Sequence, residues 1–157
     1  MKKLMLLAVV AVAMAACGGK ETPERTEQTV RASVYWVNEQ GEEVEADGSW
    51  IALYEDADFD FEASRMSMHE NGRMTLTDGR VVGLKYDAET NNGTPVINNV
   101  KDGQYLIIVN FGTDPYQHFN FGYRKITVDK SIHNVVQKFV FTDDDITGYI
   151  VKHFVEK

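Results

Sequence analysis

Three sets of residues in this chain have types and spacings that could do chemistry. The first is Cys17, in MAACGGK, the only cysteine in 157 residues. A nucleophilic thiol needs a neighbouring base and a shaped pocket. A zinc ligand needs further thiolates or clustered histidines, and a single cysteine closes no internal disulfide. None of these fits a thiol set between an apolar run and the stretch GGKETPERTEQT. The second set is acidic. In EDADFDFE (Glu55–Glu62), Asp56, Asp58 and Asp60 recur at period two, and alternate oxygens at that spacing can converge on one hard cation such as calcium. The helix-loop-helix version of such a loop puts Gly sixth and Glu twelfth, where Phe61 and Ser67 stand here. In an extended segment the same carboxylates face solvent. TDDDITG (Thr142–Gly148) reads as a turn whose Asp side chains cap their own backbone.

The third set is aromatic. YQHFNFGY (Tyr116–Tyr123), with Trp36 and Trp50, could offer ring faces to a sugar or a partner, because a planar ring buries a large area at low entropic cost. Alternating aromatics also fill sandwich cores. Tyr116 and His118 lie off the Phe119–Tyr123 face pattern, beside Thr113-Asp114-Pro115, and are the candidate ligand contacts. His69, His118, His133 and His153 show neither HxH nor HExxH spacing, and the chain contains no GxSxG, phosphate-binding loop or dinucleotide fingerprint. These patterns carry no catalytic assignment and no cofactor.

Different elements must position these residues. Lys2 and Lys3 head an apolar run from Leu4 to Ala16. As a helix this run spans about 20 Å, short of the roughly 30 Å of a hydrocarbon core, so residues 1–16 read as an export signal. Residues 17–29 contain no large apolar side chain and read as a tether, with an end-to-end distance of roughly 20 Å. Residues 30–157 are long enough for one domain that buries about two-thirds of its unfolded surface. With 16 Lys+Arg against 24 Asp+Glu, the formal net charge is −8. No basic stripe is present, which argues against nucleic acid and against direct adhesion to anionic lipid.

The residues Ala15-Ala16-Cys17, after a basic head and a short apolar run, resemble the lipobox of bacterial lipoproteins. That resemblance implies a diacylglycerol on the Cys17 thiol, cleavage between Ala16 and Cys17, and a further acyl chain on the new amino group. Two or more chains give the stable membrane residence that one does not. Met14 departs from the Leu usual in the family. Conventional cleavage after Ala13 or Ala15 is the competing reading and would leave an exposed thiol. Gly18, where lipoproteins retained at the inner membrane carry Asp, leans toward the outer membrane. Lys20-Glu21 resembles the charged tether of surface-displayed lipoproteins of the Bacteroidetes type.

Period-2 alternation dominates after Val30. TVRASVYWV places Val30, Ala32, Val34 and Trp36 on one face, and SWIALYE sets Trp50, Ala52 and Tyr54 against Ile51 and Leu53. GQYLIIVNF is apolar on both faces, as in a strand covered on both sides. HFNFGYRKITV, NVVQKFVF and TGYIVKHFV follow, with Asn-Gly and Asp-Gly pairs as turns. The spacing predicts an all-β antiparallel β-sandwich of about seven or eight strands, with one helical stretch over Asp58–His69.

GTPVINNVKDGQYLIIV (Gly93–Val109) resembles the signature of transthyretin-like modules, which include carboxypeptidase regulatory-like domains, through Ile97, Asn99, Val100, Asp102, Gly103, Tyr105, Ile107 and Val109. The resemblance implies a fold and no chemistry. Two enzyme families of similar fold do not transfer: Tyr123-Arg124 lacks the histidine pair of intradiol dioxygenases, and His-Phe-Val-Glu-Lys replaces the Tyr-Arg-Gly-Ser ending of hydroxyisourate hydrolases. The expectation is a non-catalytic, lipid-anchored envelope protein whose sandwich is a binding, adhesion or assembly module, with the membrane and an envelope protein or glycan as partners. A glycan- or small-ligand-binding accessory of nutrient uptake is the alternative. A metal-dependent hydrolase built on the acidic loops ranks last.

Overall fold

A computed structural model describes residues 27–46, 49–64, 71–89, 94–111, 120–142 and 150–155. Cys17, Tyr116 and His118 lie outside the described residues, as does all of the acidic run after Thr142.

Two sheets face each other. In the first, β1 (Glu27–Val37) is central, with β10 (Asn134–Phe141) along one side and β2 (Glu43–Glu45) and β7 (Val96–Lys101) sharing the other. The second runs in the order β11 (Ile150–His153), β9 (Asn120–Val128), β8 (Gly103–Phe111), β3 (Trp50–Glu55), β6 (Tyr86–Glu89). A hairpin of β4 (Arg73–Thr75) and β5 (Val81–Gly83) completes the described strands. The architecture is the all-β sandwich that the alternation predicts.

The alternating faces explain why it closes. Val30, Ala32 and Val34 of β1, with Phe139 and Phe141 of β10, meet Ile51 and Leu53 of β3, Ile107 and Val109 of β8, and Val128 of β9 in one fully buried core. Each of these Val, Ile, Leu and Phe side chains contributes about 1.5–3 kcal/mol on burial. The opposite face of the second sheet is covered too. Ala52, Tyr54, Leu106, Ile108 and Phe121 pack with Met74 of the hairpin and with Phe59, Val82 and Leu84. That second layer is why β8 reads as apolar on both faces.

Three details differ from the sequence expectation. First, not every pair is antiparallel: β1 pairs with β10, and β9 with β11, in parallel. The chain leaves β9 for β10 in the opposite sheet before returning as β11, so β9 and β11 run the same way. Turn residues report only on local neighbours and could not show this. Second, helix between 58 and 69 is described only as one turn over residues 61–64, with 65–70 outside the described residues. Third, Asp102-Gly103 does not close a hairpin but carries the chain from β7 in one sheet to β8 in the other. The left-handed residue in this stretch is Asn99 (φ 62°). Tyr105 places its exposed hydroxyl where it donates to the Lys101 carbonyl (2.9 Å).

Candidate functional site

The period-two carboxylates leave β3 along the outer edge of the second sheet. Lys125 of β9 draws two of them together: its Nζ lies 2.8 Å from Asp56 Oδ1 and 3.8 Å from Asp58 Oδ1. The neighbouring carboxylates in turn raise the ammonium's proton affinity, the Asp56 hydrogen bond contributing most. Asp60 points elsewhere. Its Oδ1 accepts from the Ala63 N–H (3.0 Å) while its carbonyl accepts from the Ser64 N–H (3.0 Å), which is the work of a helix N-cap. Asp56, Asp58 and Asp60 therefore do not converge. Among the described residues, no three His, Cys, Asp or Glu side chains form a cluster able to hold a metal ion.

The phenylalanines on either side of Asp60 do converge. Phe59 and Phe61 turn inward over β9, with ring centroids 4.1 Å apart and planes at 76°. Phe61 lies 4.4 Å from the Tyr123 ring, and Phe59 lies 5.5 Å from it. On the other side of Tyr123, His153 of β11 stacks at 4.7 Å with planes 13° apart. The result is a row of four rings, His153–Tyr123–Phe61–Phe59, that folds back at its far end, where Phe59, Phe61 and Tyr123 are all in mutual contact. The parallel pairing of β9 with β11 sets its first step, because His153 stands in register with Tyr123. Phe59 is fixed through its backbone bridge to Leu76, which ties the segment to the hairpin.

Three rings of the row are half-buried and His153 is exposed, so part of each residue meets solvent. Burial pushes the Tyr123 phenol above the ordinary tyrosine range, so its hydroxyl is a neutral donor and acceptor across the physiological range. Asp58, whose side chain is 86% exposed, stands beside the row as a hydrogen-bond acceptor. Rings flanked by a carboxylate and an ammonium can hold a ligand with an apolar face and hydroxylated edges. Such aromatic contacts are worth about 0.5–1.5 kcal/mol each beyond the area buried.

Sequence reasoning singled out Tyr123 only as part of an alternating run, and it weighed Phe61 solely as a misfit in a calcium loop. It weighed His153 only as one of four histidines without metal-ligand spacing, and it did not single out Phe59. The available signal was the alternation of Asp with Phe in EDADFDFE, which places two rings on the face opposite the carboxylates. Trp50, half-buried, packs at the margin of the same outer layer, whereas Trp36 lies on β1 of the other sheet.

A second feature lies at the open side of the sandwich, where β10 ends one sheet and the second half of β9 extends beyond β11 in the other. Arg124 spans this gap. Its Nη1 donates to Gln137 Oε1 (3.0 Å), its Nη2 donates to the Lys138 carbonyl (2.8 Å), and its guanidinium lies 4.5 Å over the Phe139 ring. Nearby opens a cleft of about 630 Å3 whose lining is mixed, with Ile126, Ile132, Val135 and Val136 beside Asp56, Gln104, Lys125, Thr127, Asn134 and Gln137.

No protein-family model matches the chain, and no curated protein matches it. Among solved structures, it is similar to a crystal structure from Pseudomonas aeruginosa whose description as a carbohydrate-binding protein is itself provisional. The two share 16% identity over 78% of this chain and 92% of the other, with a TM-score of 0.43. Overlap at that level bears no weight for either fold or function.

Proposed function

We propose that this chain is a lipid-anchored protein of the bacterial cell envelope whose β-sandwich is a non-catalytic binding module, and that the row His153–Tyr123–Phe61–Phe59 is its contact surface for glycan. The observation that carries the reading is the row itself: four rings from three separate segments in continuous contact on one outer face. Such a row is a suitable surface for the apolar face of a sugar ring. The flanking Asp58 and Lys125 offer an acceptor and a donor to its hydroxyls.

The Ala15-Ala16-Cys17 sequence supports the anchor, with an acylated Cys17 and the outer membrane as its address. A tethered module meets envelope glycan at raised effective concentration, so weak single contacts suffice. The transthyretin-like resemblance over Gly93–Val109 is compatible with a module of this kind. A hydrolase using Asp56, Asp58 and Asp60 finds less support, because two of these carboxylates share Lys125 and the third caps a helical turn.

The test is native affinity electrophoresis of the mature chain in detergent through gels cast with a panel of polysaccharides. Retardation in at least one gel, lost in a Phe61→Ala, Tyr123→Ala double variant that keeps its thermal transition, is the expected result. Equal retardation of the double variant would remove the row from the function. Incorporation of an alkyne-bearing fatty acid in growing cells, abolished by Cys17→Ser, tests the anchor separately.

A further inference from the structure

The outer face of β9 does not end at the ring row. Three rungs run along it, because Tyr123, Lys125 and Thr127 alternate outward while Ile126 and Val128 enter the core. Their register partners on β8 are Ile108, Leu106 and Gln104, in that order. Successive rungs stand two residues apart, so Thr127 and Gln104 lie about 13 Å along the strand from Tyr123. Leu106 and Ile108 are buried under the outer layer, whereas Lys125, Thr127 and Gln104 are exposed. The same three exposed side chains line the cleft of about 630 Å3. The cleft therefore begins one rung beyond the row. Lys125 belongs to both, bonding Asp56 of the cleft lining and lying 3.8 Å from Asp58 beside the rings.

The mixed lining is amphipathic, as a sugar is. Gln104, Thr127 and Asn134 each both donate and accept. All three are exposed, and none has a side-chain hydrogen-bond partner among the described residues. Beside them Ile126 and Val135 are buried and Ile132 is exposed, an apolar surface for C–H groups. The volume falls within the roughly 300–1,000 Å3 usual for small-ligand sites. It holds more than one sugar ring.

Charge narrows the class further. Asp56 and Lys125 are the only charged residues in the lining, and they pair at 2.8 Å. Nearby, Asp58 adds a negative charge, and Asp129 and Lys130 after β9 add one of each sign. The balance is neutral to acidic, in a chain of net charge −8. Carboxylates or sulfates on a glycan would meet no surplus of positive charge here.

Resting on the glycan reading of the row, we propose that row and cleft form one continuous track for an uncharged glycan chain of several sugar units. One unit stacks on the rings, and those that follow pass over Lys125 into the cleft. The Asp56–Lys125 pair sets an acceptor beside a donor, which suits two neighbouring hydroxyls of one unit. Gln104, Thr127 and Asn134 bond the units beyond. A long chain thus gathers weak contacts that a short one cannot reach together.

The test is isothermal titration calorimetry of the mature chain in detergent. The probes are cellohexaose, laminarihexaose, maltohexaose, xylohexaose and mannohexaose, each beside its disaccharide, and hexagalacturonate. At least one neutral hexamer is expected to bind about tenfold or more tightly than both its disaccharide and hexagalacturonate. A Gln104→Ala, Asn134→Ala double variant, changed only at exposed positions, should keep its melting transition and bring that hexamer down to its disaccharide's affinity. Phe61→Ala, Tyr123→Ala should weaken hexamer and disaccharide together. Hexamer and disaccharide binding equally, or a hexamer unaffected by the cleft substitutions, would overturn the track while row-dependent binding left the row reading standing. Binding that survives the row substitutions would overturn both. No binding of any neutral hexamer up to about 10 mM, or hexagalacturonate binding as tightly as the best of them, would overturn the proposal as well.

Discussion

Replacing Arg124 tests the packing logic of the open side most sharply. Arg124 rises from β9 in one sheet and bonds β10 in the other, through Gln137 Oε1 at 3.0 Å and the Lys138 carbonyl at 2.8 Å. Hydrogen bonds to a charged group contribute about 1.5–3 kcal/mol each. The guanidinium over the Phe139 ring at 4.5 Å adds about 0.5–1 kcal/mol. The Lys138 carbonyl lies at a solvent edge and regains water when the arginine is gone, so its share falls at the low end. Gln137 is 9% exposed and regains less. Together these put the cost of Arg124→Ala at about 3 kcal/mol. For a domain of this size that is about 10 °C in melting temperature. Arg124→Lys should recover only part of the loss, because a point ammonium cannot fork to two acceptors. Arg124→Met keeps the apolar stem over Phe139 and separates packing from hydrogen bonding. Urea unfolding and thermal melts of the four proteins read the series directly. A loss under about 1 kcal/mol for alanine, or full rescue by lysine, would refute the reasoning.

Three further perturbations follow from buried geometry. A Cβ added at Gly122 would stand 2.7 Å from Phe154 Cε2, 2.9 Å from Phe141 Cζ and 3.1 Å from Val109 Cγ2, so Gly122→Ala should cost about 1–3 kcal/mol by overpacking, seen as a lowered melting temperature. Tyr54, fully buried, donates to the Gly72 carbonyl at 3.1 Å, and burial, aided by the Asp87 charge, pushes its phenol well above 10. Its contribution is therefore complete below the unfolded value of about 10 and is lost as pH climbs above it. Tyr54→Phe should cost about 1 kcal/mol at neutral pH, since the Gly72 carbonyl keeps its bond from the Leu84 N–H, and should flatten the alkaline fall in a stability–pH series. Gln28 is 1% exposed, and neither polar atom of its side chain has a partner among the described residues, so Gln28→Met should raise the urea midpoint by the equivalent of about 1 kcal/mol.

Sequence periodicity made most of the sandwich legible because a strand with one buried face must alternate. Val30, Ala32 and Val34 fell on the core face, and the β8 and β10 boundaries coincide with the apolar runs 103–111 and 134–141. Pairing partners were not legible. Whether β1 lies beside β10 depends on contacts more than 100 residues apart, and neither strand's own pattern encodes direction. The ring row was hidden for a related reason. Phe59 and Phe61 are local in sequence, but Tyr123 and His153 reach them only through sheet order and the β9–β11 register. Asp56, Asp58 and Asp60 showed the converse: equal spacing left a shared cation or a solvent-facing run open, and the chain gave two to Lys125 and one to a helix cap. The β10 edge was visible as a strand and invisible as an edge, since only the assembled sheet shows which side has no strand partner among the described residues.

The most direct test of the binding surface is aromatic-region NMR of the isotopically labelled chain, titrated with the polysaccharide fragment that retards it best in gels. The account predicts that Phe61, Tyr123 and His153 ring signals shift together along one binding curve, while those of Phe139 and Phe141 in the sandwich core stay fixed. Saturable shifts confined to other residues, with the four-ring row unmoved, would contradict it.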